Sequence, residues 1–375
     1  MTAPSHDATG SLWRNSETLA RRRATLLERL LERDLEACLL VSDQARGYFS
    51  GFTAGSHDTV PTAALLIGPG RSVLLTSPNN VEWARIEAPG VDVAPWRRPW
   101  WPTLGEQIYG TGWTAIGFQA DHLSVAAHGA LLDQFHANVA FNDIGDIADA
   151  LRAVKDDAEI LTLARAAEIT DRAFIAATEQ LVAGTTERDL ALRLDRAMQD
   201  FGASEPGFPT IVASGPNAAR PHHAPTDRPI QTGEPVIIDM GARVDGYTAD
   251  LTRTVWVGEL DSTLATVYPI VARANELSQA AVRAGVTGRD LDQVARRAIA
   301  EAGYGDAFIH GLGHGVGLEI HEAPSAGQQS TDTLVAGNSL TIEPGIYLPG
   351  WGGVRLEDMG IVTADGFRRL SNAPK

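Results

Sequence analysis

A chain of 375 residues exceeds one comfortable hydrophobic core and suits two domains. Hydrophobic residues make up 44% and charged residues 21%, with a formal net charge of −16; that balance repels phosphate backbones and anionic lipid, so nucleic acid and membrane surfaces are excluded as partners, while carboxylates remain to bind cations. The N-terminus has no basic stretch leading into an apolar one, no run reaches the roughly eighteen apolar residues of a membrane span, and the single cysteine, Cys38, sits in an apolar run. These features predict a cytoplasmic protein without disulfides.

Residues 1 to about 15 read as a disordered leader. From Glu17 to Asp34, Leu19, Leu26, Leu27, Leu30 and Leu31 recur at helical spacing. Strands at Ala37–Ser42, Ala63–Ile67, Ser72–Thr76 and Ala115–Phe118, with helices at Val81–Ala88 and Val125–Phe135, predict an α/β domain over residues 1–150. Within it, Pro95-Trp96-Arg97-Arg98-Pro99-Trp100-Trp101-Pro102 fits two readings, a rigid surface loop or an aromatic and arginine anchor for a second subunit.

The charged run Arg152–Glu159 marks the start of a second domain, residues 151–375. Helical patterns at Ala158–Glu179 and Thr186–Phe201, the latter with Thr186 three residues before Asp189 as in a capping box, give way to short strands rich in Pro and Gly. A second helical pair, Leu264–Ala284 and Asp290–Ala302, precedes another strand-rich tail. Helix pair then strands, repeated, predicts two similar halves about one shared site.

Asp245-Gly246 signals a two-residue hairpin turn. If Val244 pairs with Tyr247, Asp239 lies opposite Thr252 and Asp250 opposite Gly241, so Asp239 and Asp250 share a face as diagonal neighbours about 7–8 Å apart. Two converging carboxylates raise each other's pKa unless a cation neutralises them. Three further stretches offer partners. The run from His310 to Glu322 places three imidazoles among glycines, Ser339–Gly345 leads to Glu343, and Gly353–Asp358 contains Glu357. Together, Asp239, Asp250, His314, Glu343 and Glu357 supply four carboxylates and one imidazole, a set suited to two divalent ions about 3.5–4 Å apart.

The ordered motifs Asp239-Met240-Gly241-Ala242, Tyr247–Thr254, Gly313–Glu322, Ile342–Tyr347 and Val354–Asp358 resemble those of the pita-bread metallopeptidases, the family of prolidase, aminopeptidase P, methionine aminopeptidase and creatinase. The resemblance covers residues 152–375, and the preceding domain is similar to those in front of the prolidase, aminopeptidase P and creatinase catalytic domains. It implies an α/β creatinase-like N-terminal domain followed by an α+β pita-bread catalytic domain with pseudo-twofold halves. It implies that Asp239, Asp250, His314, Glu343 and Glu357 ligate two divalent metal ions, manganese favoured and zinc or cobalt accepted, with Asp250 and Glu357 bridging. Glu343 would double as the proton shuttle. His222, in the segment Ser214–His223, would approach the substrate with His310 and His321, and Arg355 matches the arginine two residues before the bridging glutamate.

The implied reaction is attack of a metal-bridging hydroxide on the carbonyl of an X–Pro bond, with His321 helping to stabilise the oxyanion. An Xaa-Pro dipeptidase acting on X–Pro dipeptides is the leading expectation. The alternatives are an aminopeptidase P acting on longer peptides and, more distantly, a creatinase-like amide or amidine hydrolase. A homodimer formed through the N-terminal domain is expected. One departure stands out: many dipeptide-specific prolidases carry an arginine just after the His-Glu-x-Pro step, where this chain reads His321-Glu322-Ala323-Pro324-Ser325. Arg46, expected in a loop after the first strand, is the candidate replacement to grip the substrate carboxylate.

Overall fold

Leucine spacing and a capping asparagine build the first helix, Ser16–Leu31, whose Leu19, Leu26 and Leu30 are buried and whose first turn is closed by the Asn15 side chain accepting from the Thr18 amide. The computed structural model describes residues 11–55, 61–135 and 139–375. Most of the expected leader, residues 1–10, lies outside the described residues. Residues 11–15 correct that expectation: Trp13 is 1% exposed and lies under the Arg22 guanidinium, 5.4 Å from its centre. Burying an indole outweighs the entropy of fixing the few residues beside it.

Two units form, Met1–Arg152 and Ala153–Lys375. The first is an α/β domain around a six-stranded sheet of β1 (Ala37–Leu40), β2 (Ala63–Gly68), β3 (Arg71–Thr76), β4 (Asp92–Pro95), β5 (Ala115–Phe118) and β6 (Ala140–Asp143), in the order β4-β3-β2-β1-β5-β6. The β1–β2 and β2–β3 pairs are antiparallel and the rest parallel. Strand β1 is buried throughout, as an unbroken apolar run in mid-sheet should be. Sequence periodicity misses the outer strands β4 and β6, which are four residues long and carry exposed Asp92, Pro95, Ala140 and Asp143.

Two expectations need correction here. The first strand stops at Leu40, and Ser42 instead caps a helix, Asp43–Ser50, by accepting from the Ala45 amide; Arg46 is therefore helical. In the aromatic run, Trp96 and Trp100 are 5% and 2% exposed, stack at 5.7 Å and belong to the domain's apolar core. Arg97, Arg98 and Pro99 between them face outward and Trp101 is half-buried, so Trp96 and Trp100 are core residues of the domain and not part of an exposed loop.

The second unit is built as two similar α+β halves. Asp156 caps the helix Asp157–Thr178 with a full capping box, and Thr186 caps Glu187–Asp200. The plan repeats with Asp261 capping Ser262–Ala281 and Thr287 capping Gly288–Glu301. Thr186 and Thr287 occupy matching places, each also bridged to a later segment, at Pro229 and Thr333.

Turn chemistry sets the register of the central hairpin. Asp245 and Gly246 adopt left-handed φ values of 49° and 86°, as a type I′ turn requires. Val244 pairs with Tyr247, and Thr252 with Asp239, along one continuous register. At Gly241 the strands press so closely that an added Cβ would stand 1.8 Å from the Ala249 carbonyl oxygen. Gly241→Ala is expected to lower the unfolding free energy by about 2–3 kcal/mol, read by urea denaturation; unchanged stability would contradict this packing.

Candidate metal centre

Five chain segments deliver the site. Asp239 ends the buried run of strand Val236–Met240, Asp250 precedes Leu251–Val255, and His314 is the middle of Gly313–Gly315. Glu343 follows Ser339–Ile342, and Glu357 sits between Gly352–Arg355 and Asp358–Val362. All five line one cavity of about 290 Å³, with His222, His310, His321 and Arg355 on the same walls. Of the residues singled out from sequence, only Arg46 is not among them.

Close strand approach explains how His314 and Glu343 meet. A Cβ on Gly313 would stand 2.0 Å from the Thr341 carbonyl oxygen, so only glycine lets these strands come together. Thr341 Oγ1 then accepts from the His314 amide at 3.0 Å and donates to Glu343 Oε1 at 3.3 Å.

The His314 Nδ1–H donates to the Gly315 carbonyl at 3.0 Å, a tautomer assigned from its partner. Its Nε2 faces Glu343 Oε1 at 3.3 Å and Asp250 Oδ2 at 3.7 Å. A ring nitrogen between two carboxylates needs either a second proton or a cation. Donor atoms of Asp250, His314 and Glu357 all lie within 4.8 Å of one another. Two carboxylate oxygens, Asp239 Oδ1 and Glu357 Oε1, are buried with no hydrogen-bond partner, although their sister oxygens accept from Arg355 Nη2 at 2.6 Å and Thr252 Oγ1 at 2.7 Å. Leaving such oxygens unsatisfied is costly. Divalent cations would satisfy them, and an oxygen-rich set with one imidazole fits hard or borderline ions.

Electrostatics point the same way. Burial and then the charge of Glu357 push Asp250 well above the usual carboxylate range, and burial followed by Glu343 and Asp239 does the same to Glu357. Burial also raises Asp239 despite the charge of Arg355. Glu343 is the exception: burial works to raise it, yet the hydrogen bond and charge of His314, with His310 and Arg355, hold it at about 2. Burial pulls the His314 imidazole down, but its bond to Glu343 carries it above its ordinary value.

Arg355, 2% exposed, organises one wall. Its Nε donates to Thr252 Oγ1 at 3.1 Å, Nη1 to Tyr347 Oη at 3.0 Å and to the Pro221 carbonyl at 3.3 Å, and Nη2 to Asp239. Tyr347 in turn donates to His310 Nε2 at 2.8 Å, while His310 Nδ1–H donates to the Gly311 carbonyl at 2.7 Å. Burial holds the His310 imidazole below its ordinary pKa, so the neutral ring has both nitrogens engaged and shapes the wall without a spare N–H. The His321 ring lies 4.4 Å from that of His314 at 74°. Its neighbour Glu322 is anchored by Lys155, Nζ to Oε1 2.5 Å.

Sequence reasoning missed Tyr347, although its motif was in view. The legible signal is glycine: Tyr347 pairs with Gly353, and Cβ atoms on Gly345 and Gly353 would stand 2.7 Å and 2.8 Å from the tyrosine ring or hydroxyl, so the phenol lies across both to reach Arg355.

Arg46 does not carry its expected role forward. It is 0% exposed, its Nη1 pairs with Asp43 at 2.7 Å and contacts the Ala63 carbonyl, and Nη2 donates to the Ala54 carbonyl. Those bonds tie both terminal nitrogens within the N-terminal domain, leaving no outward donor for a substrate carboxylate.

Glu187, also missed, is fully buried at the start of its helix. Its Oε1 accepts from the Ser214 amide, Ser214 Oγ and Asn217 Nδ2 at 2.8, 2.7 and 3.0 Å; its Oε2 accepts from His223 Nε2, the Thr226 amide and Thr226 Oγ1 at 2.9, 3.0 and 2.6 Å. Burial raises this carboxyl, but bonds from Thr226, Asn217, His223 and Ser214 outweigh it and hold the pKa at about 2; Arg228, paired with Glu234, is the nearby fixed charge. Because the folded pKa lies below the unfolded one, the stabilisation is fully present above about pH 4.5 and is lost as pH falls toward about 2. Glu187→Gln is expected to lower the unfolding free energy by roughly 2–3 kcal/mol at neutral pH, with the difference shrinking across that acid window. A pH-independent difference in urea titrations would contradict it.

The pattern of metallopeptidase family M24 matches residues 162–364, and that of the creatinase/prolidase N-terminal domain matches residues 22–154. A Xaa-Pro dipeptidase of Pyrococcus furiosus is 43% identical over 235 residues, 63% of this chain and 68% of that one. Among solved structures, a Xaa-Pro dipeptidase from Bacillus anthracis superposes with a TM-score of 0.90 at 34% identity, covering 95% of this chain and 98% of that one. An X-Pro aminopeptidase from Thermotoga maritima gives 0.87 at 33% identity, covering 94% and 98%.

Proposed function

We propose, from a chain that belongs to metallopeptidase family M24 and carries the creatinase/prolidase N-terminal domain, that its reaction is hydrolysis of the X–Pro bond at the N-terminus of short peptides, with X–Pro dipeptides as the leading substrates. The observation that carries this reading is the pair of orphaned oxygens, Asp239 Oδ1 and Glu357 Oε1, inside a cavity that also gathers Asp250, His314 and Glu343.

Asp239, Asp250, His314, Glu343 and Glu357 would hold two divalent cations, with manganese favoured and zinc or cobalt compatible. Bound there, the ions would supply Lewis acidity toward the scissile carbonyl and lower the pKa of the attacking water. Glu343, ionised at neutral pH, takes the water proton and returns it to the proline nitrogen as that nitrogen leaves. Arg355 fixes Asp239 and, through Tyr347, the His310 wall. His321, on the same cavity wall with its imidazole pKa lowered chiefly by desolvation, can donate to the developing oxyanion. Phe208, Ile211, Pro221 and Ile320 give the cavity apolar surface that suits a pyrrolidine ring. A tertiary amide has no N–H to grip, so shape and the carbonyl must provide recognition.

A second reading, an aminopeptidase acting on longer X–Pro peptides, is favoured by Ser325 standing after Pro324 and by Arg355, already engaged on four sides, being the only arginine or lysine among the described residues lining the cavity. The proposed setting is the cytoplasm, and the proposed assembly a homodimer through the N-terminal domain, which would elute at twice the 40.0 kDa chain mass. Among the described residues no helix is long and apolar enough to cross a membrane. Manganese-loaded protein should release alanine from Ala-Pro and leave Ala-Ala intact. Faster cleavage of Ala-Pro-Ala would select the second reading, and cleavage of neither proline peptide would contradict both.

A further inference from the structure

Glu187 touches no group that lines the catalytic cavity, yet every side-chain bond described for it goes to one segment, Ser214 to Thr226. That segment carries His222. We infer that Glu187 is a positioning residue for the reaction, fixing where His222 stands by fastening both ends of its segment to the first turn of the helix Glu187–Asp200. The inference rests on the proposed function in treating His222 as a substrate-side group.

Adjacent histidines make the connection. His223 is 7% exposed and turns inward to Glu187, whereas His222 is exposed and lines the cavity; fixing one ring therefore aims the other outward. The segment is gripped from its other side too. Arg355 donates to the Pro221 carbonyl, and Cβ atoms on Gly352 and Gly353 would stand 2.8 Å from the Gly215 oxygen and 2.3 Å from the Ala218 oxygen. The strand that carries Arg355 thus presses directly on the backbone leading to His222. Without the Glu187 carboxylate, the ends of the segment keep backbone bonds, Gly215 amide to the Pro235 carbonyl and Arg188 amide to the Thr226 carbonyl, and the Arg228 bond to Ser214, and among the described residues no side chain holds His223.

Both carboxylate oxygens face donors alone; Ser214 Oγ, which donates to Oε1, itself accepts from Arg228 Nη1 at 2.6 Å. Glutamine at this position would turn its NH2 toward His223, the Thr226 amide and the Thr226 hydroxyl, or toward the Ser214 and Asn217 donors. It is isosteric, yet it cannot reproduce the bonding. That distinguishes a positioning role from mere filling of space.

Two measurements test this. Amide hydrogen exchange, read without substrate, should show residues 214–226 exchanging at least about tenfold faster in Glu187→Gln than in the parent, with the helix Ser262–Ala281 unchanged; unaltered exchange in 214–226 overturns the anchoring. In Ala-Pro hydrolysis, Glu187→Gln and His222→Ala should each lower kcat/KM by about ten- to a hundredfold, and the double variant should fall less than about twofold below His222→Ala alone. Multiplying losses, or a His222→Ala protein with the parent rate, overturn the inference. If the parent itself does not cleave Ala-Pro, the proposed function fails while the exchange measurement still reports on the anchor. Should Glu187→Gln not fold, Thr226→Val, which deletes one donor, replaces it in both arms.

Discussion

A Glu357→Gln protein is expected to lose Ala-Pro hydrolysis by about a thousandfold or more, and yet to unfold at a higher temperature than the parent when no divalent ion is added. The first effect follows from the donor set. Glu357 offers an unpartnered oxygen to the centre from a buried position, and metal-assisted stabilisation of developing charge is worth several kcal/mol, about a decade in rate per 1.4 kcal/mol. The second effect has the opposite sign because Glu357 is buried among Glu343 and Asp239, which push its carboxyl well above the ordinary range. A group whose folded pKa is raised opposes folding at neutral pH, and glutamine removes that charge while still bonding Thr252. Manganese should raise the melting temperature of the parent through mass action and that of the variant little. Thermal scans with and without manganese check this, and a variant that melts below the parent without added ion would contradict it.

Arg355→Met is expected to lower the unfolding free energy by about 3–5 kcal/mol, the range for breaking a buried charge pair on one side only, and to lower kcat/KM by about a hundredfold, as loss of a residue orienting a ligand does. The guanidinium is the counter-charge of Asp239 and simultaneously reaches Thr252, Tyr347 and the Pro221 carbonyl. Arg355→Lys should recover little of either, because one ammonium cannot span a fork with four acceptors in different directions. Chemical denaturation and steady-state kinetics on the same preparations read both effects. Parent-like activity in the lysine variant would show that charge alone, and not the fork, matters at this position.

Much of the site was legible because short-range chemistry governs it. Asp245-Gly246 sets a turn, the turn sets the register, and the register brings Asp239 opposite Thr252; each step is local. The same holds for the repeated helix pairs, each helix begun by an Asp or Thr cap. What escaped depends on contacts between distant segments. Glutamate in a helix's first turn is commonplace, and nothing near Glu187 in sequence announces that Ser214 and Thr226 will close around it. Tyr347 gains its role only when the strand of Gly352–Arg355 folds back beneath it. Arg46 was misplaced because Ser42 ends a strand by capping a helix, and two residues decide that. The tryptophan run looked solvated because its arginines need water, but Trp96 and Trp100 turn inward while Arg97 and Arg98 stay outside.

Metal content after reconstitution tests the dinuclear centre most directly. The parent, dialysed against manganese and freed of loose ion, is expected to hold two ions per chain and the Glu357→Gln protein at most one, with Ala-Pro hydrolysis following the content. Fewer than one ion per chain in a folded, fully reconstituted parent would contradict the centre and the peptidase chemistry built on it.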